Sequence, residues 1–146
     1  MNDTSIFEAV YTGIQKAKAA YDAATDEAGR EVARELYKTA KAPLEDLDSV
    51  EKCLWNAYET SRDCGNEYLD IYDTISDDTA KELVACMKRY GIKAFTFSST
   101  WSSAVEIAWA FQQAGCTLAG LIEINSHHKH FMSDEYEKAH GYLFTI

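Results

Sequence analysis

The chain reads as an α+β protein: a helical N-terminal half, then a β-α-β-β unit forming a small mixed sheet covered by helices. Three observations predict this. Apolar residues recur at helical intervals from Ile6 to Tyr90. The pattern changes after Gly91, where "IKAFTF" alternates and is rich in β-forming residues. Two further β-rich runs, "CTLAGLIEIN" and "HGYLFTI", follow an amphipathic helical stretch.

Each element has its own local signal. Ser5 followed by Glu8 has capping-box spacing, and Ile6, Val10, Ile14, Ala17 and Tyr21 continue the period, predicting a helix over residues 5–24. A second helix begins near Asp26 and carries Val32, Leu36 and Tyr37 on one face. Pro43 cannot continue that helix but suits the first turn of the next. This third helix, over residues 43–62, turns Leu47, Val50, Leu54 and Tyr58 inward, and Gly65 ends it. The stretch "NEYLDIYDTI" fits either a short helix or an extended linker. Ser76 caps a fourth helix with Asp77 and Asp78 in its first turn, Leu83, Met87 and Tyr90 facing the core, and Gly91 as the stop.

The strand "IKAFTF" then leads into a capped helix, "SSTWSSAVEIAWAFQQAG", expected to pack Trp101, Val105, Ala108 and Trp109 against the sheet. Strand, helix and second strand suggest parallel pairing through a right-handed crossover. The polar "SHHKHFMSDEYEKA" is expected as a loop before a short final strand, which adds antiparallel. One domain accounts for residues 1–146, mainly helical over 1–91 and β-α-β-β over 92–146.

Composition bounds the function. An apolar content of 47% against 26% charged residues excludes wholesale disorder. No apolar run approaches the ~18 residues of a membrane span, and "MNDTSIFEAV" lacks the basic and apolar regions of a secretory leader. A cytoplasmic location, with no membrane partner, is the expectation. Cys53, Cys64, Cys86 and Cys116 form no CxxC pair, so reduced structural thiols are expected.

Three stretches invite a chemical reading. "NSHHKH" sets His127, His128 and His130 close together, with Asp134 or Glu123 available to complete a metal site. The spacing is not the i,i+4 of a helical zinc motif, so a solvated histidine-rich loop is preferred to a small metal-dependent enzyme. "FSSTWSSAVE" places hydroxyls at a strand-to-helix turn, but without the glycines and lysine of a phosphate loop or the spacing of a nucleophile elbow. Helix capping accounts for it. Glu106 and Glu123 have no visible carboxylate partner, no dinucleotide fingerprint is present, and no basic stripe would hold nucleic acid. Neither catalytic residue, cofactor nor bound metal is therefore expected.

Charge is the distinctive feature. The formal net charge is −10, and residues 44–78 hold eleven acids against two bases, hence −9 in 35 residues. Exposed helices usually mix signs to gain i,i+4 pairs, so this run costs stability unless it serves a partner. Aromatic rings are interleaved with the acids, and such rings anchor interfaces. The candidate partner-binding set therefore joins Glu45, Asp48, Glu51, Glu59, Asp63 and Glu67 with Asp70, Asp73, Asp77 and Asp78, and adds Trp55, Tyr68 and Tyr72. Their electrostatic complement is a basic protein surface.

Residues 90–125, above all "FTFSSTWS" and "GLIEIN", resemble a recurring block in small proteins encoded on plasmids, prophages and conjugative elements of Gram-positive gut bacteria. The resemblance implies an accessory gene of mobile elements, and such genes often counter host defences. By analogy it points to an acidic, non-enzymatic inhibitor of anti-CRISPR or antirestriction type, bound to a basic nucleic-acid-binding surface of a defence nuclease. A regulatory interaction module of the mobile element is the alternative.

Overall fold

Asp26, Gly65 and Gly91 punctuate the chain as the sequence suggests, whereas Ser103 precedes the last helix without a side-chain capping bond. The computed structural model describes residues 5–72 and 77–146. Five helices, α1 (Ser5–Ala23), α2 (Glu27–Lys41), α3 (Ser49–Asp63), α4 (Asp77–Arg89) and α5 (Ala104–Gln113), accompany four strands, β1 (Leu69–Tyr72), β2 (Ala94–Ser98), β3 (Thr117–Lys129) and β4 (Tyr136–Thr145). The α+β class is as predicted. Among the described residues no helix is long and apolar enough to cross a membrane.

Asp26 starts α2 by accepting from the Gly29 N–H at 2.8 Å. The third helix begins later than Pro43, which sits in a 3₁₀ turn. Asp48 and Glu51 form a reciprocal capping box instead, with bonds of 2.8 and 2.9 Å. The predicted cap at Ser76 lies outside the described residues.

Helices α1 and α2 pack through small side chains. A Cβ at Gly13 would lie 2.9 Å from the Cβ of Ala40, so only glycine permits this approach. That contact, with buried Ala33, leaves Val32 and Leu36 exposed rather than inward.

The sheet order is β1-β2-β4-β3. Strand β1 runs parallel to β2 with Ile71 beside Phe97, so the ambiguous stretch before α4 is a strand. The expected direct pairing of β2 with β3 does not occur. Strand β4 lies between them, antiparallel to both, with Phe144 opposite Phe95. Its rings explain the insertion: Phe144 and Tyr142 stack on Phe95 and Phe97 at interplanar angles of 19° and 21°. The polar stretch expected as a loop mostly extends the β3–β4 hairpin, placing His127 and His128 on a strand.

Helix α5 covers the Phe95–Phe97 face. Phe111 is fully buried, with ring centroids 4.9, 5.5 and 5.4 Å from those of Phe95, Phe97 and Phe144. Trp101, Val105 and Trp109, expected in this contact, are 58%, 70% and 62% exposed. The helix is apolar nearly all round, so periodicity offers two stripes. The one built on Ile107 and Phe111 wins because Ala104 and Ala108 flank it and let the helix approach the sheet closely.

A second aromatic cluster joins the helices. Phe7 meets Trp55, Tyr58 and Tyr90 at centroid distances of 5.6, 5.5 and 4.7 Å. Trp55 is thus a core residue, 5% exposed, and cannot anchor a partner as the sequence suggests. Above the cluster Glu8 accepts from Tyr58 and Arg62, and these two bonds hold its carboxyl below the ordinary value of 4.5. Burial, then the bond to Glu8, pushes the Tyr58 hydroxyl up to about 12. A carboxyl depressed in the folded state contributes stability that is present above its unfolded value and lost as pH falls through its folded one. Urea titrations should therefore show wild type losing part of its margin over Glu8→Gln as pH falls below 4.5. An unchanged difference between the two across that range would remove the bridge from the account.

Candidate binding cleft between the third helix and the curled sheet

Strands β1 and β3 are the two edges of the sheet, yet side chains tie them together. The Asn66 amide spans the backbone of Asn125 in strand-like fashion. Its Nδ2 donates to the Asn125 carbonyl at 2.8 Å, and its Oδ1 accepts from the Asn125 N–H at 2.8 Å. Asn125 Nδ2 donates in turn to the Cys64 carbonyl at 2.7 Å, and Lys138 Nζ to Asn125 Oδ1 at 2.6 Å. Farther along, the Tyr72 and His127 rings meet edge to face at 4.4 Å. Strand β3 therefore curls over the face opposite α5 and reaches the end of α3. Register shifts between Leu118 and Gly120 and between Asn125 and Lys129 supply the bend.

That opposite face is polar at its centre. Asp70 accepts at both carboxylate oxygens, from Thr96 Oγ1 and Ser98 Oγ, each at 2.6 Å. Its backbone N–H donates to Ser61 Oγ at 2.9 Å, which fixes β1 against α3. Both hydroxyl residues are buried, and the short O–H···O⁻ geometry is that of strong, charge-assisted bonds.

Between α3 and this curl lies a cleft of about 620 Å³. Helix α3 lines one wall with Lys52, Cys53, Asn56, Ala57 and Thr60, while Ile71, Asp70 and Tyr72 of β1 face them. Asn125 and His127 close the far side. A cleft with an apolar floor and a few convergent polar groups suits non-covalent binding. At its edge burial pushes the Cys64 thiol up, away from the reactive thiolate.

The structure separates the predicted acids by task. Asp48 and Glu51 cap α3, and Glu51 also accepts from the Tyr90 hydroxyl at 3.2 Å. Asp63 accepts from the Tyr11 hydroxyl at 2.9 Å. Asp70 is bound into the sheet, so reversing its charge would disturb the fold, contrary to the reading of it as a plain surface acid. Glu45, Glu67 and Asp78 face solvent, and Glu59 and Tyr68 are half-buried. Of the rings, only Tyr72 reaches the cleft. Asp73 and the side chain of Asp77 lie outside the described residues.

Among the described residues no three His, Cys, Asp or Glu side chains converge where a metal could be held. His127 turns to Tyr72 and to the His128 ring, whose centroid is 4.0 Å away.

Sequence reasoning missed Asn56, Asn66 and Asn125, whose types carry no spacing signal. Thr96 and Ser98 left a trace: in "FTFS" hydroxyls alternate with buried rings, the pattern of a strand whose second face is polar.

No curated protein and no solved structure matches the chain. Residues 53–146 match the family described as a domain of unknown function, DUF7698. The matched span runs from the cleft wall of α3 through every strand of the sheet, and the chain belongs to the DUF7698 family.

Proposed function

We propose that this protein acts by stoichiometric binding, as an acidic inhibitor of anti-CRISPR or antirestriction type. It occupies a basic nucleic-acid-binding surface of a cytoplasmic defence nuclease. One observation carries the reading: the contrast between two sets of acids. In α2 the acids are neutralised locally, Glu27 and Glu31 by Arg34 at 2.6 and 2.9 Å and Glu35 by Lys38 at 2.8 Å. Around α3 and β1, by contrast, Glu45, Glu59, Glu67 and Asp78 have no ion pair among the described residues. Their field is left for a partner, beside the cleft that Asn56, Thr60 and Tyr72 line.

Reversing Glu45, Glu59, Glu67 and Asp78 to Lys together should slow association at least tenfold while the melting temperature changes little. Salt should reproduce the effect in the wild type, because screening shortens below about 8 Å above physiological strength. The partner is obtained by pull-down from host lysate with and without nuclease treatment, and kinetics then follow on the pair. Unaltered kinetics in the folded quadruple variant would return these acids to a purely solvating role.

A further inference from the structure

The charge that dominates one side of the molecule is almost absent from another. Residues 94–122 contain a single charged side chain, Glu106. The same segment carries five of the large apolar side chains left exposed: Trp101, Val105, Trp109, Leu118 and Leu121. They lie on one side of the protein. Leu118 and Leu121 pair with Phe144 and Tyr142, and so share the sheet face on which α5 sits. Nothing among the described residues pairs with the outer edge of β3 over this stretch.

We infer that this face is where a second copy of the chain docks. Size is the first argument. Two half-exposed tryptophans, a valine and two leucines present roughly 500–600 Å² of apolar surface, at the top of the range for a monomer. With the atoms between them they approach the ~800 Å² that each partner gives to a standard interface. Charge is the second. The net charge of −10 is held almost entirely by residues 44–78, and two chains can meet away from it through the face built from residues 94–122, whose one charged side chain is Glu106. Symmetry is the third. A two-fold interface must be self-complementary. The outer stripe of α5 is Val105 and Trp109, one turn apart, and Trp101 lies in the turn that leads into the helix. An antiparallel copy of the helix therefore sets Val105 against its mate's Trp109 and Trp109 against its mate's Val105. Glu106 is one position along from Val105 and falls off the stripe.

Light scattering coupled to size exclusion, or sedimentation velocity, reads the state directly from about 1 to 200 μM. The expected species has twice the 16.4 kDa chain mass at the upper end, and it persists in molar salt because its contact is apolar. The double variant Val105→Glu, Trp109→Glu should run as a monomer with an unchanged circular dichroism spectrum, its dissociation constant raised at least tenfold. Should that variant fold poorly, Trp109→Ser alone should still weaken the dimer. Reversing Glu45, Glu59 and Glu67, which lie on α3 and the turns flanking it, should leave it intact. A wild type that stays at 16.4 kDa throughout, or a dimer that survives both α5 variants in folded form, overturns the inference.

Discussion

Phe111→Ala should lower the unfolding free energy by about 3–5 kcal/mol, the cost of emptying an aromatic site in a close-packed core. Trp109→Ala, two residues earlier, should change it by less than about 0.5 kcal/mol when measured at low protein concentration. Phe111 touches three other buried rings, whereas Trp109 is 62% exposed. Low concentration matters because any self-association would stabilise the tryptophan-bearing chain by mass action. Urea denaturation of the two variants decides the matter. Equal losses, or a larger one for Trp109, would mean that α5 is rotated from the orientation described.

The second large effect belongs to Asp70. Replacing it by Ala leaves the buried hydroxyls of Thr96 and Ser98 without their acceptor, at a cost of about 2–3 kcal/mol. Asp70→Asn should cost less, since its carbonyl oxygen still accepts one of the two bonds. The cycle is completed with Thr96→Val and Ser98→Ala in the same chain as Asp70→Ala. Replacing both sides of a buried hydrogen bond by apolar groups can be nearly neutral, so the triple variant should recover more than half of the loss. Strict additivity of the three substitutions would show that the carboxylate and hydroxyls act independently.

What could be read in advance follows the reach of each signal. Helix starts and stops depend on a few adjacent residues, and Asp26, Gly65 and Gly91 mark them as expected, the two glycines at φ of +71° and +68°. Strand β1 was harder because four residues are too few for a period, and Asp70 looks like a solvent-facing acid until Thr96 and Ser98 are placed beside it. The inner stripe of α5 is hidden in the sequence because Trp101, Val105 and Trp109 satisfy helical spacing as well as Ile107 and Phe111 do. Only the partner surface chooses between them. The cleft lay further still from view. Its walls come from α3, β1 and β3, and the Asn66–Asn125 clamp joins residues with nothing in their local sequence to associate them.

The place of β4 has a consequence for how the chain is made. Of the four strands, the one synthesised last, β4, is an inner strand of the sheet, between β2 and β3. Phe95 waits for Phe144, which at ordinary elongation rates is roughly 2–10 seconds later. During that interval β2 can hold β1 but has no partner on its other side. The segment just synthesised is the stretch with one charge in twenty-nine residues, residues 94–122. An uncharged, aromatic, half-paired nascent chain is the kind of intermediate that chaperones retain and that aggregates when they are scarce. The acidic residues 44–78, made before it, give neighbouring nascent chains a like charge that opposes their association while the sheet is unfinished.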